Sequence, residues 1–495
     1  MSDIQTVKLS NGKTAQAHTY LFYNNKFVPG NGPLIETINP TTEEVICKVH
    51  SADAKDVDAA VDAAHNAFHS EWKKVAAAQR GRYLNKLADL MERDIDELAT
   101  LEALDNGKSF VVARDVDITD SIACFRYFAG WADKITGQTM ETTYDKMCYT
   151  RLEPIGVVGA ITPWNYSVMM PVWKLAPALA AGNTIVLKTS EVTPLAMLKL
   201  CELVVEAGFP AGVVNVITGY GQITGAALTG HPKVHKMAFT GSTQSGRLIM
   251  DSSAKSNLKK VQLELGGKSA QIVCADADLK NAAFWACGGI FNNHGQSCNA
   301  GSRILVHESV HDEFVKLFIE EAKKIKVGDP FDPEVTQGPQ INVAQFNKIL
   351  EYIDIGTKEG AKVAFGGKRI GSKGYFIEPT VFINCHNQMR VMREEIFGPV
   401  VCIGTFKTVD EAIEIANDSD YGLAGGVYTS NIDTGIIVSN ALEAGTIWVN
   451  SYDIFDQSTP FGGYKQSGFG KELGLDSLRE YSHIKSVKIQ LVSRL

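Results

Sequence analysis

Cys298 and Glu264 stand out for their surroundings. Cys298 lies in Asn293-His-Gly-Gln-Ser-Cys-Asn-Ala-Gly-Ser-Arg303, a loop of small and polar residues. Most of the other eight cysteines (Cys47, Cys124, Cys148, Cys201, Cys274, Cys287, Cys385 and Cys402) sit in apolar runs. The thiolate is the nucleophilic form of cysteine and must be reachable, so Cys298 reads as the accessible thiol. Glu264 stands between Leu263 and Leu265, ahead of Gly266-Gly267. A carboxylate held among apolar neighbours has a raised pKa and can act as a base near neutrality. A purely structural carboxylate has the same local sequence. His294, four residues before Cys298, opens a Cys–His reading of the kind a thiol hydrolase uses, although that spacing does not establish contact.

A second set of residues could hold a phosphate-bearing ligand. Gly241-Ser-Thr-Gln-Ser-Gly246 has the first half of a P-loop, but Arg247 and Leu248 stand where Lys and Ser/Thr belong. Gly219-Tyr-Gly-Gln-Ile-Thr-Gly225 is one residue too long for a dinucleotide fingerprint. The place of Gly241–Gly246 says more than its spacing. It follows a predicted strand and opens a predicted helix, where free N–H groups and the helix dipole favour an anion. Asn165, in Pro163-Trp164-Asn165-Tyr166, lies at the end of another strand; so do Lys188 and Glu191. Ligands bind at such strand ends in open α/β sheets, and a carboxylate such as Glu191 can accept from the hydroxyls of a ribose. Turn or solvated-loop roles would suit the same residues.

The elements that must position these groups follow from periodicity. Val57, Val61, Ala64 and Phe68 recur at helical spacing behind Ser51 and Asp53 as capping candidates. Gln79–Leu104 reads as one helix. From 155 to 241, strands and helices alternate. Ile155–Ile161, Thr184–Leu187, Val213–Ile217 and Lys236–Phe239 read as strands. Met169–Ala181, Pro194–Ala207 and Ile223–Leu228 read as helices. This alternation implies a parallel, doubly wound sheet. After Gly267 a second α/β region begins. Its strands are near Ala270–Val273, Arg303–Val306, Val381–Ile383, Val400–Phe406 and Thr446–Val449, and its helices near Asp312–Lys324 and Val409–Asn417. In Lys485–Leu491, Val487, Ile489 and Leu491 alternate with polar residues, as in a half-buried strand able to pair outside its own lobe.

Composition sets outer limits. With 495 residues, against about 100–200 per domain, two or three lobes are expected. The net charge of −8 is spread along the chain, which does not match the clustered basic surface of a nucleic-acid binder. No apolar run approaches the roughly 20 residues of a membrane helix. The nine cysteines include no CxxC, which favours a reducing compartment over a disulfide framework or a zinc site. The N-terminus reads poorly as a targeting segment, so a cytoplasmic location is expected. The final Ser493-Arg494-Leu495 resembles a variant of the Ser-Lys-Leu peroxisomal address.

Taken in order, seven segments resemble the aldehyde dehydrogenase superfamily. They are PWN at 163–165, the Lys188 to Glu191 loop, FTGST at 239–243, LELGGK at 263–268, GQSC at 295–298, EEIFGPV at 394–400 and PFGGYKQSGFGKELG at 460–474. The similarity is strongest to the cytosolic and mitochondrial NAD-dependent class that oxidises simple aldehydes. It implies an α/β fold with a Rossmann-type cofactor domain (1–135 and 155–266), an α/β catalytic domain (267–465) and a small β oligomerisation element (136–154 and 478–495). A homo-oligomer, dimer or tetramer, would result. The resemblance further implies Cys298 as nucleophile, Glu264 as base facing it across a tunnel, Asn165 as oxyanion donor, and Lys174 as an aid to proton movement. NAD would be held by Ile161, Trp164, Lys188, Glu191, Gly241, Ser242, Gly246, Glu395 and Phe397. Tyr166, Met170, Trp173, Phe455 and Phe461 would line a narrow apolar channel for short or medium aldehydes. No metal is implied. Ser297 and Asn299 depart from the commonest residues beside the nucleophile. A CoA-acylating dehydrogenase is the nearest alternative, and it would not need Glu264.

Overall fold

The computed structural model describes residues 3–491; Ser493-Arg494-Leu495 lies outside them. Five parallel strands form the heart of the first sheet: Val157–Ile161 (β1), Thr184–Thr189 (β2), Val214–Thr218 (β3), Lys236–Thr240 (β4) and Lys260–Glu264 (β5). Their spatial order is β5-β4-β1-β2-β3. Strands β2, β3 and β4 are buried at every position, as expected where helices cover both faces of a parallel sheet. The order reverses between β1 and β4, so the crevice beyond their carboxyl ends is the topological switch point. Of these five, β5 is the strand the apolar runs do not announce, because Lys260, Gln262 and Glu264 alternate with Val261 and Leu263.

The helices between these strands follow local rules. Met169–Ala180 (α1) is buried along its whole length, which fits a helix apolar on every side. Leu195–Ala207 (α2) starts after Pro194 and stops at Gly208, whose φ of +87° needs no Cβ. Thr243–Ser256 (α3) is capped by the Ser242 hydroxyl, which accepts from the Ser245 amide. Two expectations change. Gln79–Leu104 is two helices, Ala77–Arg93 and Ile95–Asn106, divided at Asp94. Arg93 grips both Asp94 and Glu206 at that break. The short helix expected at Ile223–Leu228 is a π turn, Gly221–Gly225, running into Ala226–Gly230.

The second sheet contains Ala270–Val273 (β6), Arg303–His307 (β7), Thr380–Ile383 (β8), Val400–Phe406 (β9), Ala424–Tyr428 (β10) and Thr446–Val449 (β11). These run parallel in the order β8-β9-β7-β6-β10-β11, with Lys362–Phe365 antiparallel at one edge. The helix Leu279–Phe291 (α4) packs on it, and the Cys298 loop connects α4 to β7. The two sheets are joined through Leu265–Ser269, so β5 delivers Glu264 beside the Cys298 loop. Gly468–Phe469 pairs antiparallel with β5, bringing the Pro460–Gly474 segment back to the first sheet.

A third sheet stands apart from both cores. Ser482–Gln490 pairs antiparallel with Lys146–Pro154 along its whole length, and Thr139–Met140 adds a short third strand. Ser482–Gln490 lies at its edge. The half-buried pattern expected there is not completed within the chain, since Ile484, Ile489 and Leu491 are exposed.

Candidate active site

Cys298 is the one cysteine of the nine that is not fully buried. It lies on the wall shared by two cavities. One, of about 200 Å³, is lined by Trp164, Asn165, Gly241, Ser242, Gln345, Lys348, Glu395 and Phe397. The other, of about 290 Å³, is lined by Tyr166, Met170, Trp173, Phe455 and Phe461, and also by Asp117, Ser297, Asn299 and Asp453. The first opens at the switch point of the first sheet. The thiol therefore stands where a ligand from either side can reach it. Burial, with the charges of Glu395, Glu264 and Asp453, raises the Cys298 pKa, while the Asn299 amide favours the thiolate.

The two glycines after β5 set how closely the walls approach. A Cβ on Gly267 would come within 2.3 Å of the Cys298 carbonyl, and one on Gly266 within 2.6 Å of the Glu395 carboxylate. The Gly267 amide donates to Glu395 at 3.0 Å. Gln345 donates to the carbonyls of Ile396 and Phe397, and Lys348 to that of Glu395. These contacts pin a segment whose Phe397 has a φ of +62°, an uncommon conformation for a bulky residue. Phe397 meets Trp164 edge to face at 5.3 Å. Gln345 and Lys348 escaped the sequence reading because their helix, Val343–Lys358, lies far from any motif.

Asn165 is buried, and its amide nitrogen donates to the Gln296 carbonyl at 2.8 Å, leaving one N–H free. Its own carbonyl accepts from Lys108 at 2.9 Å and Asn293 at 3.0 Å. Lys108 is buried between Asp117 and Glu102, and Glu102 accepts from the Ser167 amide and hydroxyl. Asn106 and Lys108, at the end of helix Ile95–Asn106, thus brace the turn after β1. Sequence reasoning gave this charged cluster no role.

Glu264 is 2% exposed and neither carboxylate oxygen has a hydrogen-bond partner. It lines neither cavity; it sits under Gly462. Burial, with Glu472 nearby, holds its pKa well above the usual carboxylate range, and Lys174 opposes this. Lys174 is buried too, donating to Glu472 at 2.5 Å and to Thr240 at 2.7 Å. Thr240 pairs with Glu264 across β4 and β5. The expectation that Glu264 faces Cys298 across an open tunnel is not met in this conformation: Glu264 lines neither cavity, and only a side-chain rotation could bring it to the thiol. The neutral form that burial favours explains why the withdrawn position is tolerated.

Other sequence candidates are placed as follows. Lys188 ends β2 beside Ile161 of β1; it donates to Glu191 at 3.2 Å and to the Thr189 carbonyl. Gly225 packs against both Ile161 and Lys188. A Cβ on Gly246 would strike Leu265, so that glycine lets α3 lie close to the sheet. His294 does not meet Cys298. Its Nδ1 donates to the Pro339 carbonyl at 2.9 Å and its Nε2 accepts from the Gly338 amide at 3.0 Å. Burial lowers its pKa to about 3. With both nitrogens engaged elsewhere, a Cys–His hydrolase dyad is excluded. No cluster of three metal-ligating side chains occurs among the described residues.

Known proteins resemble the chain over nearly its whole length. The aldehyde dehydrogenase family model matches residues 27–487. An aldehyde dehydrogenase of Emericella nidulans is 56% identical over 472 residues, covering 95% of each chain. Retinaldehyde dehydrogenase 3 of Rattus norvegicus is 52% identical over 476 residues, covering 96% of this chain and 93% of its own. The NAD+ complex of an aldehyde dehydrogenase from Bacillus cereus superposes with a TM-score of 0.95 at 47% identity, covering 99% of this chain and all of that one. The chain belongs to the aldehyde dehydrogenase family and is an enzyme of aldehyde oxidation.

Proposed function

We propose that the protein oxidises short or medium aliphatic aldehydes to carboxylic acids with NAD, through a thioester on Cys298. The observation that carries this reading is the position of Cys298, on the wall common to a polar, glycine-rimmed cavity and an aromatic one. The residues of the first cavity fit NAD. The Ser242 end of α3 offers backbone amides to a pyrophosphate, Gly241 leaves room there, and Glu395 can accept from a ribose. Lys188 and Glu191 would hold the second ribose. A carboxylate at that position disfavours a 2′-phosphate, so kcat/KM for NAD should exceed that for NADP.

The chemistry follows from the groups around the sulfur. The Cys298 thiolate attacks the aldehyde carbon. The resulting oxyanion is stabilised by the free N–H of Asn165 and the Cys298 backbone amide; one such donor contributes about 2.7–4 kcal/mol. NAD, when bound, supplies the acceptor for the hydride that leaves this carbon. Glu264, rotated forward, takes a proton from the water that releases the acid from the thioester. Lys174 and Glu472 lie behind it to pass that proton on. The domains expected from sequence serve this plan: the first sheet holds the cofactor, the second carries the nucleophile, and the third provides an assembly surface.

The simple-aldehyde preference is drawn from Trp173, Phe455 and Phe461, which stack edge to face around the second cavity. The test is NADH formation at about 340 nm from aldehydes of increasing length and width, with and without CoA. Rates that rise with acetaldehyde to hexanal and need no CoA support the reading. Dependence on CoA, or preference for polycyclic aldehydes over acetaldehyde, would overturn it.

A further inference from the structure

The second cavity is not apolar all round, and its polar edge bears on what enters it. Met169, Met170, Trp173, Phe455 and Phe461 make one side. On the other, the Tyr166 hydroxyl donates to Ser297 at 3.3 Å, Ser297 donates to the Asn299 side-chain oxygen at 2.6 Å, and the Asn299 amide donates to Asp453 at 2.6 Å. Every donor in this string points toward the carboxylate.

Resting on the reading of Cys298 as the nucleophile, we propose that this cavity selects aliphatic aldehydes bearing a hydrogen-bond donor, an ammonium above all, with Asp453 receiving that group. Asp453 forms no ion pair with any cation among the described residues. Asp117, the other carboxylate on this wall, is already matched by Lys108. The cavity thus carries an unbalanced negative charge beside aromatic faces, and both attract a cation. Burial pushes Asp453 up to about 6, against Asn299 and Asn292, which favour its charged form. An aldehyde ending in a carboxylate meets repulsion at the same place.

The test compares propanal, 3-aminopropanal, 3-hydroxypropanal and succinic semialdehyde with saturating NAD at neutral pH. Propanal oxidation alone reports whether the underlying reading holds. Given that, kcat/KM for 3-aminopropanal should exceed that for propanal by about tenfold or more, as expected for a hydrogen bond to a charged acceptor. Succinic semialdehyde should fall below propanal. In D453N the ratio of 3-aminopropanal to propanal should drop to near one. A ratio of one or less in the unmodified enzyme overturns the proposal, and that measurement needs no variant to fold. An unchanged ratio in a folded D453N overturns it as well.

Discussion

At the scale of single residues, the site pairs a thiol and a carboxyl that both resist ionisation. Burial raises Cys298 above the ordinary thiol value of 9.0, so without cofactor the thiolate is a minor species at neutral pH. Alkylation by iodoacetamide should therefore rise tenfold per pH unit from pH 7 to 9, without a plateau; a plateau near pH 7 would show a thiolate already formed. The raised Glu264 acts in the same sense on the second half-reaction. An acid above its usual range is protonated, and useless as a base, until pH passes its shifted pKa, so hydrolysis of the thioester should slow as pH falls. Cys298→Ala should abolish oxidation. Glu264→Gln should retain a burst of NADH and lose steady-state turnover by about 100-fold or more, the usual share of a general base. Full turnover in that variant would remove Glu264 from the mechanism.

At the scale of elements, close backbone approach matters more than side-chain chemistry. Gly267→Ala places a methyl within 2.3 Å of the Cys298 carbonyl. Backbone cannot yield as a side-chain tip can, so the loop must move. A displacement of about 1 Å can cost about 100-fold in rate, and kcat should fall by that order while NAD still binds. Gly130 provides the contrast. It lies exposed in helix Thr119–Trp131 with nothing within 4 Å of an added Cβ. Gly130→Ala should raise stability by about 0.4–1 kcal/mol and leave kcat unchanged, read by urea unfolding and steady-state rates. The same contrast separates what was legible in the sequence from what was not. The apolar runs that became β1 to β4 and the polar loop around Cys298 are local patterns, and local patterns can be read. Strand β5 buries the polar Gln262 and Glu264 along with Leu263, and one of its partners, Gly468–Phe469, arrives from about 200 residues away. Gln345, Lys348 and Asp453 reach the cavities only through tertiary packing, and the withdrawal of Glu264 depends on the burial that Gly462, Lys174 and Glu472 create together. No window of sequence contains those encounters.

At the scale of the whole molecule, the third sheet is unfinished. Ser482–Gln490 is nine residues long and paired on one side only, leaving the other row of N–H and C=O groups without strand partners. Long edge strands are ordinarily shortened, bulged or covered. Here Met147, Ile484 and Ile489 are instead exposed on the same small sheet, Ile484 at 74%. A second copy of the chain could extend the sheet through that edge and cover those side chains, which is the assembly expected of a homo-oligomer. Ile484→Lys together with Ile489→Lys should therefore shift the protein toward smaller species in sedimentation velocity. Because the sheet lies apart from both cores, each subunit should keep its fold and its capacity to bind NAD. If the double variant sediments as the unmodified protein does, over a range of concentrations, the edge is not the surface through which subunits meet.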